Sequence, residues 1–433
     1  MAIIPQLELF SWEEIEPLGD LERLRLVLEH LPDEALMVHL EKSRGHGRDD
    51  YPVRAMWNSM LAGIVFQHPS IESLRRELSR NGQLRSICGL RAVPSAAAYT
   101  RFLRSLMRHG SWIESMFDEL VKALSEELPE FGRRLAMDSK AIASWASRPS
   151  KEKKEDGRRD LDAEYGVKTY RGTREDGSTW EKVVRWFGYK LHLVVDAQYE
   201  LPVAYTVTKG SRSDVKEGHV LLDKLEKLHP EILKKSEVLT ADRGYDDSKL
   251  LSRCWDEYGI KPVIDTRRLW KDGEQTRLLP GHTNVVYDER GAVYCYCPET
   301  GARQQMSNGG FEKDRGTLKK VCPAKAYGIT CQGREQCPVA GGVRVALAVD
   351  RRIFTPIARE SYKWAKEYRY RTAVERVNSR LDVSFGFERH TVRGLGKMRV
   401  RCGLALCVML AMALGRVREK QQERMRSLVR SVS

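Results

Sequence analysis

Up to about residue 130, apolar positions recur three and four residues apart, the spacing of amphipathic helices. Segments such as LERLRLVLEHL, VRAMWNSMLAGIVF and AAAYTRFLRSLMRHG carry this pattern, and Ser95 stands where it would N-cap the last of them. The pattern predicts an all-helical N-terminal domain over residues 1–130. Its basic helices fit either DNA contact or plain core packing.

Strands replace helices after Gly132. RRLAMDSKAIA, WFGYKLHLVVDA and LPVAYTVTKG predict three strands in an antiparallel meander, with turns at the charged stretch 150–182 and at 198–201. We expect 150–182 to be a long solvated loop. VKEGHVLLDKLEKL, SEVLTAD, DSKLLSRCWDEYG and IKPVID then alternate helix and strand. The order predicts an α/β fold with a mixed sheet, whose first part spans residues 131–265.

The regular pattern breaks between residues 266 and 342, where turn-rich sequence holds five bunched cysteines. VRVALAVD then resumes regular structure before a long helix from about residue 359 to 381. An insertion explains the break, and we expect the core to continue over residues 343–415. The apolar run at 403–414 is well short of the roughly 20 residues that cross a bilayer. It predicts a buried helix and no membrane contact, followed by a basic tail at 416–433.

The charge balance changes this picture by indicating a partner. The chain has 74 basic and 60 acidic residues and a net charge of +14, so it attracts polyanions, of which nucleic acid is the commonest. The N-terminus has no secretory signal pattern, and nine cysteines, an odd number, favour reduced thiols in a cytoplasm. No phosphate-binding loop and no zinc-protease histidine spacing is present.

Two carboxylates end predicted strands. Asp138 follows Leu-Ala-Met and Asp242 follows Val-Leu-Thr-Ala. Ligands of open α/β sheets lie outside strand ends, where a carboxylate is held rigidly and reaches solvent. A single Asp in such a place is more often a turn starter or a helix cap. Asp196, beside a predicted hairpin turn, receives that simpler interpretation.

A third acid lies on a helix with two unlike faces. At about 100° per residue, one face carries Tyr368, Arg371, Glu375, Asn378 and Asp382. The opposite face is apolar and consists of Ala373, Val374, Val377 and Leu381. Ordinary surface ion pairs are one interpretation of the polar face. Tyr and Asn in register with Glu favour a functional one.

Three acids from distant parts of the chain suit divalent metal ions better than proton transfer. Mg²⁺ or Mn²⁺ prefers carboxylate oxygens and needs few protein ligands. Two such ions about 4 Å apart can activate a water or a DNA 3′-hydroxyl and stabilise the leaving oxygen. Neighbouring Lys and Arg side chains would hold the phosphate charge.

The three blocks around these acids carry a resemblance. MDSK at Asp138, ADRGYDD at Asp242 and YRYRTAVERVNSRL at Glu375 resemble DDE-type bacterial insertion-sequence transposases with a ribonuclease-H-like catalytic core. The third block of that family reads Tyr, two residues, Arg, three residues, Glu, and Tyr368, Arg371 and Glu375 keep this spacing. VRAMWNSMLAGIVFQHPSIESLRREL is similar to the helical domain that precedes the core in many members, so the resemblance covers most of the chain.

The resemblance implies a ribonuclease-H-like mixed-sheet core with an all-helical N-terminal domain and a cysteine-bearing insertion. It further implies that Asp138, Asp242 and Glu375 bind two Mg²⁺ or Mn²⁺ ions, and that Tyr368 and Arg371 contact transposon-end phosphates. The implied reaction is DNA cleavage at terminal inverted repeats and strand transfer into target DNA. A homodimer or higher oligomer on paired ends would perform it, in a bacterial cytoplasm at the nucleoid.

One departure affects the DNA contacts. The family often has a Lys seven residues after the Glu, where this chain has Asp382, and Arg380 is a substitute candidate. Asn378 is a further candidate on the same helix. Arg243, next to Asp242, fits DNA contact or loop packing equally well.

The bunched cysteines are Cys295, Cys297, Cys322, Cys331 and Cys337. Four of them could supply thiolates for a structural zinc ion, although no Cys-x-x-Cys spacing occurs. Unliganded thiols in a disordered insertion are the other interpretation.

Two other functions stay open. One is a nuclease that shares the core but does not join strands. The other is a DNA-binding regulator or domesticated relic without catalysis, against which the intact acid trio argues.

Overall fold

A computed structural model describes residues 21–44, 50–146, 160–174, 176, 178–267 and 269–426. The helices within these ranges are α1 (Leu21–His30), α2 (Glu34–Arg44), α3 (Val53–Val65), α4 (Ile71–Arg80), α5 (Gly82–Ile87), α6 (Ala96–Arg108), α7 (Gly110–Glu127), α8 (Asp214–Leu228), α9 (Pro230–Lys235), α10 (Ser248–Ser252), α11 (Pro323–Tyr327), α12 (Tyr362–Tyr368), α13 (Thr372–Phe385) and α14 (Leu395–Arg418). The strands are β1 (Arg134–Ala143), β2 (Glu164–Thr173), β3 (Thr179–Asp196), β4 (Leu201–Lys209), β5 (Val238–Ala241), β6 (Lys261–Ile264), β7 (Arg277–Leu278), β8 (Val285–Tyr287), β9 (Val293–Tyr296), β10 (Arg303–Gln305), β11 (Ser307–Glu312), β12 (Thr317–Val321) and β13 (Val343–Ala346).

The helical character predicted for the N-terminal region is confirmed from residue 21 onward. Ser95 N-caps α6 and accepts a hydrogen bond from the Ala98 backbone N–H, as predicted. Side chains of these helices enter the same hydrophobic core as the sheet and α14. Residues 1–20 lie outside the described residues.

The central sheet is mixed, as predicted, with the order β2-β3-β1-β5-β6 and with β4 paired to β3. β1 runs antiparallel to β3 and parallel to β5, and β5 runs parallel to β6. Asp196 ends β3, and its carboxylate accepts hydrogen bonds from the backbone N–H groups of Gly132 and Gln198. The turn role predicted for Asp196 is therefore confirmed.

The long loop predicted at 150–182 is wrong over its second half. Residues 164–173 form β2, which pairs with the first part of β3 from Thr179 onward. β3 is exposed on both faces from Thr179 to Arg185, and the charged residues and glycines of residues 164–173 concealed the strand that pairs with it. Residues 147–159 lie outside the described residues.

The insertion is folded and has its own hydrophobic core. β7 to β10 form one small sheet, β11 to β13 form another, and both pack around buried residues such as Val285, Val293 and Val345. The predicted return to the main core at residue 343 is wrong, because β13 pairs with β12 and the buried residues of this second core extend to Ala358. The break in pattern arose because short strands separated by turns carry little periodic signal.

The predicted helix at 359–381 is interrupted. α12 begins after Ser361, its N-cap, and a 3₁₀ turn at Arg369–Arg371 separates α12 from α13. The apolar face predicted for α13 is confirmed, because Ala373, Val374 and Val377 are fully buried.

α14 contains the apolar run and packs against α7, α1 and β4. It is long and apolar enough to cross a membrane, but 89% of its apolar window is buried inside the protein. It is therefore a core helix, as predicted. The end of the basic tail, residues 427–433, lies outside the described residues.

Candidate active site

Asp138 and Asp242 are adjacent in the sheet. Asp242 directly follows β5, as predicted, but the prediction that Asp138 ends its strand is wrong, because β1 continues to Ala143 in its pairing with β3. β1 and β5 are parallel neighbours in which Met137 pairs with Ala241, so the next residue of each strand is an aspartate. Asp242 accepts a hydrogen bond of 2.7 Å from the Gly244 backbone N–H. A Cβ on Gly244 would lie 2.7 Å from Asp242 Oδ1, so this turn requires glycine.

The two carboxylates interact electrostatically. Burial raises the pKa of Asp138 to about 6, and the negative charge of Asp242 adds to the increase, while Lys168 and Arg371 oppose it. The ionisation of a carboxyl group is unfavourable next to a second carboxylate. A bound cation stabilises the ionised form of both groups. The pair is therefore suited to a divalent ion.

Lys168 is a neighbour that the sequence did not reveal. Its Nζ lies 3.9 Å from Asp138 Oδ1 and donates to the Ser139 carbonyl oxygen at 2.6 Å. Lys168 belongs to β2, in the stretch that was expected to be a loop. No spacing in the sequence relates it to Asp138, because β2 reaches the site only through its pairing with β3.

Glu375 adjoins the aspartate pair through an arginine. Its carboxylate contacts Arg371 at 2.7 Å on the first turn of α13, and its side chain is 50% exposed. Arg371 is half-buried, and its charge lowers the pKa of Asp138. Among the described residues, no three His, Cys, Asp or Glu side chains are grouped closely enough to hold a metal ion. The structure thus brings two acids together and places the third beside the arginine that faces them.

Tyr368 and Arg243 lie on the β5 and β6 side of the pair. The Tyr368 ring stacks on Trp364 with centroids 4.8 Å apart, and the Arg371 guanidinium lies 5.7 Å from the Tyr368 centroid. Burial raises the pKa of Tyr368 to about 12, so its hydroxyl stays protonated. Arg243 is largely exposed and lies 3.9 Å from Asp265.

The remaining predicted contacts on α13 point to other partners. Arg380 donates to the Glu200 carbonyl oxygen, and burial lowers its pKa to about 10. Asn378 has a buried side-chain oxygen that finds no hydrogen-bond partner within the described part of the chain. Asp382 accepts a bond of 2.5 Å from Lys140, which lies two residues after Asp138 on β1. The family often has a lysine on the helix at the position of Asp382. In this protein the lysine at that position in space is Lys140 of β1.

A second polar cluster lies behind the pair and was also missed. Asp214, the first residue of α8, contacts Lys190 at 2.9 Å and lies 3.7 Å from the buried His192. Burial lowers the pKa of His192 to about 4, so this ring is neutral. A Cβ on Gly244 would lie within 3.4 Å of Asp214, which places that carboxylate next to Asp242. An acid in the first turn of a predicted helix is typical of a side chain that stabilises the helix dipole, so the sequence pattern did not single it out.

The bunched cysteines of the insertion meet at one cavity of about 100 Å³, lined by Cys295, Cys297, Cys322, Cys331 and Cys337. All nine cysteines of the chain are free thiols. Hydrogen bonds from the Thr300 side chain and from backbone N–H groups lower the pKa of Cys297 to about 6. Burial and the charges of Cys322 and Cys337 raise the pKa of Cys295 to about 11.

Comparison with known proteins identifies the family. A family model for "Transposase DDE domain" matches residues 133–411, and one for "Transposase domain (DUF772)" matches residues 10–105. No curated protein matches the chain. The cryo-EM structure of the piggyBac transposase synaptic complex with hairpin DNA aligns over 98% of this chain and 88% of that chain, at 12% identity and a TM-score of 0.31. That TM-score is too low to support an argument.

The DDE-domain match covers more than half of the 433 residues and spans all three blocks that carried the resemblance. The predicted family is thereby confirmed. Such enzymes act on DNA and use divalent metal ions. The chain belongs to the family of DDE-domain transposases.

Proposed function

We propose that this transposase cleaves DNA at the terminal inverted repeats of its element and joins the ends to target DNA, with Asp138, Asp242 and Glu375 as metal ligands. The observation that carries the proposal is the aspartate pair on two adjacent parallel strands, with Asp138 inside β1 and Asp242 directly after β5. The position of Asp138 is held by the pairing of β1 with β3, and the pair lies beside the Arg371–Glu375 contact. Distant parts of the chain meet at this place, as a shared centre requires.

We also propose that the sheet is a ribonuclease-H-like core. Three features support this assignment: β1 antiparallel to β3, β5 parallel to β1, and an acid on β1 and another directly after β5. The acid-bearing helix α13 packs against β1.

Carboxylate oxygens are the ligands that Mg²⁺ and Mn²⁺ prefer, and we propose that the three acids hold two such ions. When bound, the ions would activate the attacking oxygen and stabilise the leaving oxygen of the phosphodiester. Asp138 would bind only when ionised, since its pKa is about 6. Its neighbours Lys168 and Arg371 supply positive charge while no cation is bound.

Arg371 has a second role in this proposal. Its guanidinium contacts the Glu375 carboxylate, which leaves that carboxylate unavailable to a metal. A DNA phosphate that accepts hydrogen bonds from Arg371 would free Glu375 to turn toward the aspartates. The centre would then be complete only when DNA is bound.

The DNA contacts that we propose are Tyr368, Arg371, Arg243 and Asn378. Arg371 and Tyr368 adjoin Asp138 and Asp242, and Arg243 is exposed beside them. Asn378 shares the face of the helix that carries Arg371 and Glu375. Arg380 is left out, because its buried guanidinium already bonds Glu200. The active species that we propose is a dimer or higher oligomer on paired ends, acting in the bacterial cytoplasm at the nucleoid.

The test combines end-bearing DNA, a target plasmid and Mg²⁺. Asp138→Asn, Asp242→Asn and Glu375→Gln are each expected to abolish cleavage and to leave end binding within a few-fold, because these acids hold metal. Glu388→Gln, at an exposed acid just beyond α13, is the matched control and should cleave normally.

Three outcomes separate the candidate functions. Cleavage together with joined product supports the transposition reaction. Cleavage without joined product indicates a nuclease, and end binding without cleavage by the wild type indicates a regulator or relic. Full cleavage by Asp138→Asn would remove Asp138 from the centre.

A second proposal concerns the insertion. We infer that thiols around the cysteine cavity hold a structural zinc ion. Five thiols border one cavity, and the insertion is folded around them. The charges of Cys322 and Cys337 act on the pKa values of both Cys295 and Cys331. Zinc binding would have to draw the sulfurs together, since no three of them are grouped closely enough to hold a metal ion among the described residues. A bound zinc ion would offset the repulsion between the negative charges of neighbouring thiolates.

A further inference from the structure

A two-stranded ribbon extends from the central sheet and has no part in the function proposed so far. It consists of β2 and the first part of β3, residues 164–173 and 179–188, and we call it the ribbon. The residues of β3 from Thr179 to Arg185 are all exposed. The ribbon exposes the apolar side chains of Trp180, Val183 and Val184. Exposed apolar side chains that lie together often mark an interaction site.

The two faces of the ribbon present different side chains. Residues that pair across antiparallel strands share a face, and Lys168 pairs with Val184. Lys168, Trp180, Lys182 and Val184 therefore lie on one face, which we call the inner face. Val167, Val183 and Arg185 lie on the opposite, outer face together with Glu181.

The inner face begins at the candidate active site. Lys168 lies 3.9 Å from Asp138, so the face that carries Lys182 and Trp180 is continuous with the aspartate pair. Glu164, at the base of this face, already accepts bonds from Lys209 and Ser211. Beyond Glu164, the charged side chains placed on the inner face are therefore those of Lys168 and Lys182.

We propose that the inner face of the ribbon binds the duplex DNA that flanks the transposon end, on the far side of the cleaved phosphate. This inference rests on the proposed function. Lys182 would contact a backbone phosphate, and Trp180 would pack against sugars and base edges. A two-stranded ribbon is of a size that the major groove of DNA admits.

The position of the ribbon in the sheet indicates whether it would contact the transposon end or the flanking DNA. Tyr368 and Arg243, the proposed contacts to the transposon end, lie by β5 and β6. The ribbon leaves the sheet from β3, on the other side of β1. DNA that passes over Asp138 from the Tyr368 side would therefore reach the ribbon as flanking sequence.

The first test compares two duplexes that share one transposon end, one of them with a flank of about two helical turns, ~20 base pairs. Wild type should bind the flanked duplex more tightly and with a steeper salt dependence. Lys182→Ala should lose about three- to fivefold in affinity and about one unit of salt slope on the flanked duplex only, as expected for one phosphate contact. Arg185→Ala, an equal charge change on the outer face, is the matched control and should leave both affinities unchanged.

The second test locates the contact directly. A photocrosslinking amino acid at position 180 should attach to flank nucleotides, whereas the same residue at position 183 should not. Crosslinks from both positions, or equal losses for Lys182→Ala and Arg185→Ala, would overturn the proposal, as would unchanged binding by Lys182→Ala. These outcomes differ from failure of the proposed function, in which the wild type would neither bind nor cleave the end itself.

Discussion

Asp138 occupies a place where its ionisation is unfavourable. Its pKa rises from 3.8 to about 6 because burial and Asp242 disfavour the charge. A carboxyl group whose pKa is raised by folding stabilises the fold while it is protonated. That contribution is complete below pH 3.8 and is lost as the pH rises through about 6.

We therefore expect Asp138→Asn to unfold at higher denaturant concentration than wild type at pH 7 without metal. The gain should be up to about 3 kcal/mol, because the neutral amide avoids the ionisation penalty. The gain should vanish near pH 3.5, where Asp138 is protonated in both states. Denaturant unfolding at the two pH values measures it. A less stable Asp138→Asn protein at pH 7 would contradict this account.

His390 titrates in the opposite sense. Burial and the nearby Arg401 lower its pKa from 6.5 to about 4. The unfolded chain therefore takes up a proton before the folded protein does, and stability is lost as the pH falls from 6.5 to 4.

We expect His390→Gln to reduce this acid sensitivity by up to about 3 kcal/mol across that window. His192, whose pKa is also about 4, remains and should keep part of the slope. Unfolding free energies at pH 7, 5.5 and 4 give the measurement, with the half-buried His282 replaced by Gln as control. Equal slopes in wild type and His390→Gln would show that His390 does not carry the effect.

At this scale the sequence identified some members of the site and missed others for a physical reason. Asp138 and Asp242 could be selected because each follows an apolar run in the sequence, which is a local signal. Lys168 and Asp214 could not, since their closeness to these acids depends on strand pairing and helix packing. The buried environment of Arg380 was equally invisible, because it depends on the turn that carries Glu200.

Among the elements, α13 and β1 are joined by a pair that explains the departure at Asp382. Lys140 and Asp382 are in contact at 2.5 Å, with side chains only 11% and 24% exposed. Removal of one partner from such a pair leaves the other charge poorly solvated. The pair therefore helps to hold the Glu375-bearing helix against the strand that carries Asp138.

A double-mutant cycle with Lys140→Met and Asp382→Leu should give a coupling free energy of about 1–3 kcal/mol. Each single variant should be clearly destabilised, and the double variant less so than their sum. The exposed pair of Arg133 and Glu130 provides a comparison cycle, with a coupling below about 1 kcal/mol. Equal couplings in the two cycles would mean that the contact does not join the elements.

Local pattern predicted these elements well where one face is buried. The apolar stripe of α13 is such a case. The alternation of β3 near Leu191 and Leu193 also predicted a strand correctly, although both faces of β3 are buried there. The ribbon was missed because exposure on both faces removes the constraint that produces alternation. The 3₁₀ turn at Arg369–Arg371 also escaped prediction, since 3.6- and 3.0-residue periods are indistinguishable over so short a span.

The whole molecule has two cores of different character. One unites the N-terminal helices, the sheet and α14, so the predicted boundary near residue 130 is not accompanied by a gap in apolar packing. The other belongs to the insertion and is much smaller. A small core buries a smaller fraction of its surface, so a metal ion or a covalent crosslink adds most to its stability.

The cysteine cavity is therefore the place where metal should affect stability most. We expect the protein purified without chelator to contain about one zinc per chain, as one four-thiolate site requires. Removal of zinc by a chelator should lower the unfolding temperature of the insertion and leave the main core intact, because metal binding contributes directly to folding.

Cys331→Ser should lose the metal and reproduce this effect, whereas Cys88→Ser, at a buried thiol of the main core, should retain the metal. Elemental analysis and calorimetry measure both properties. A metal-free wild type whose unfolding is unaffected by added zinc would instead leave the five thiols unliganded in a folded insertion.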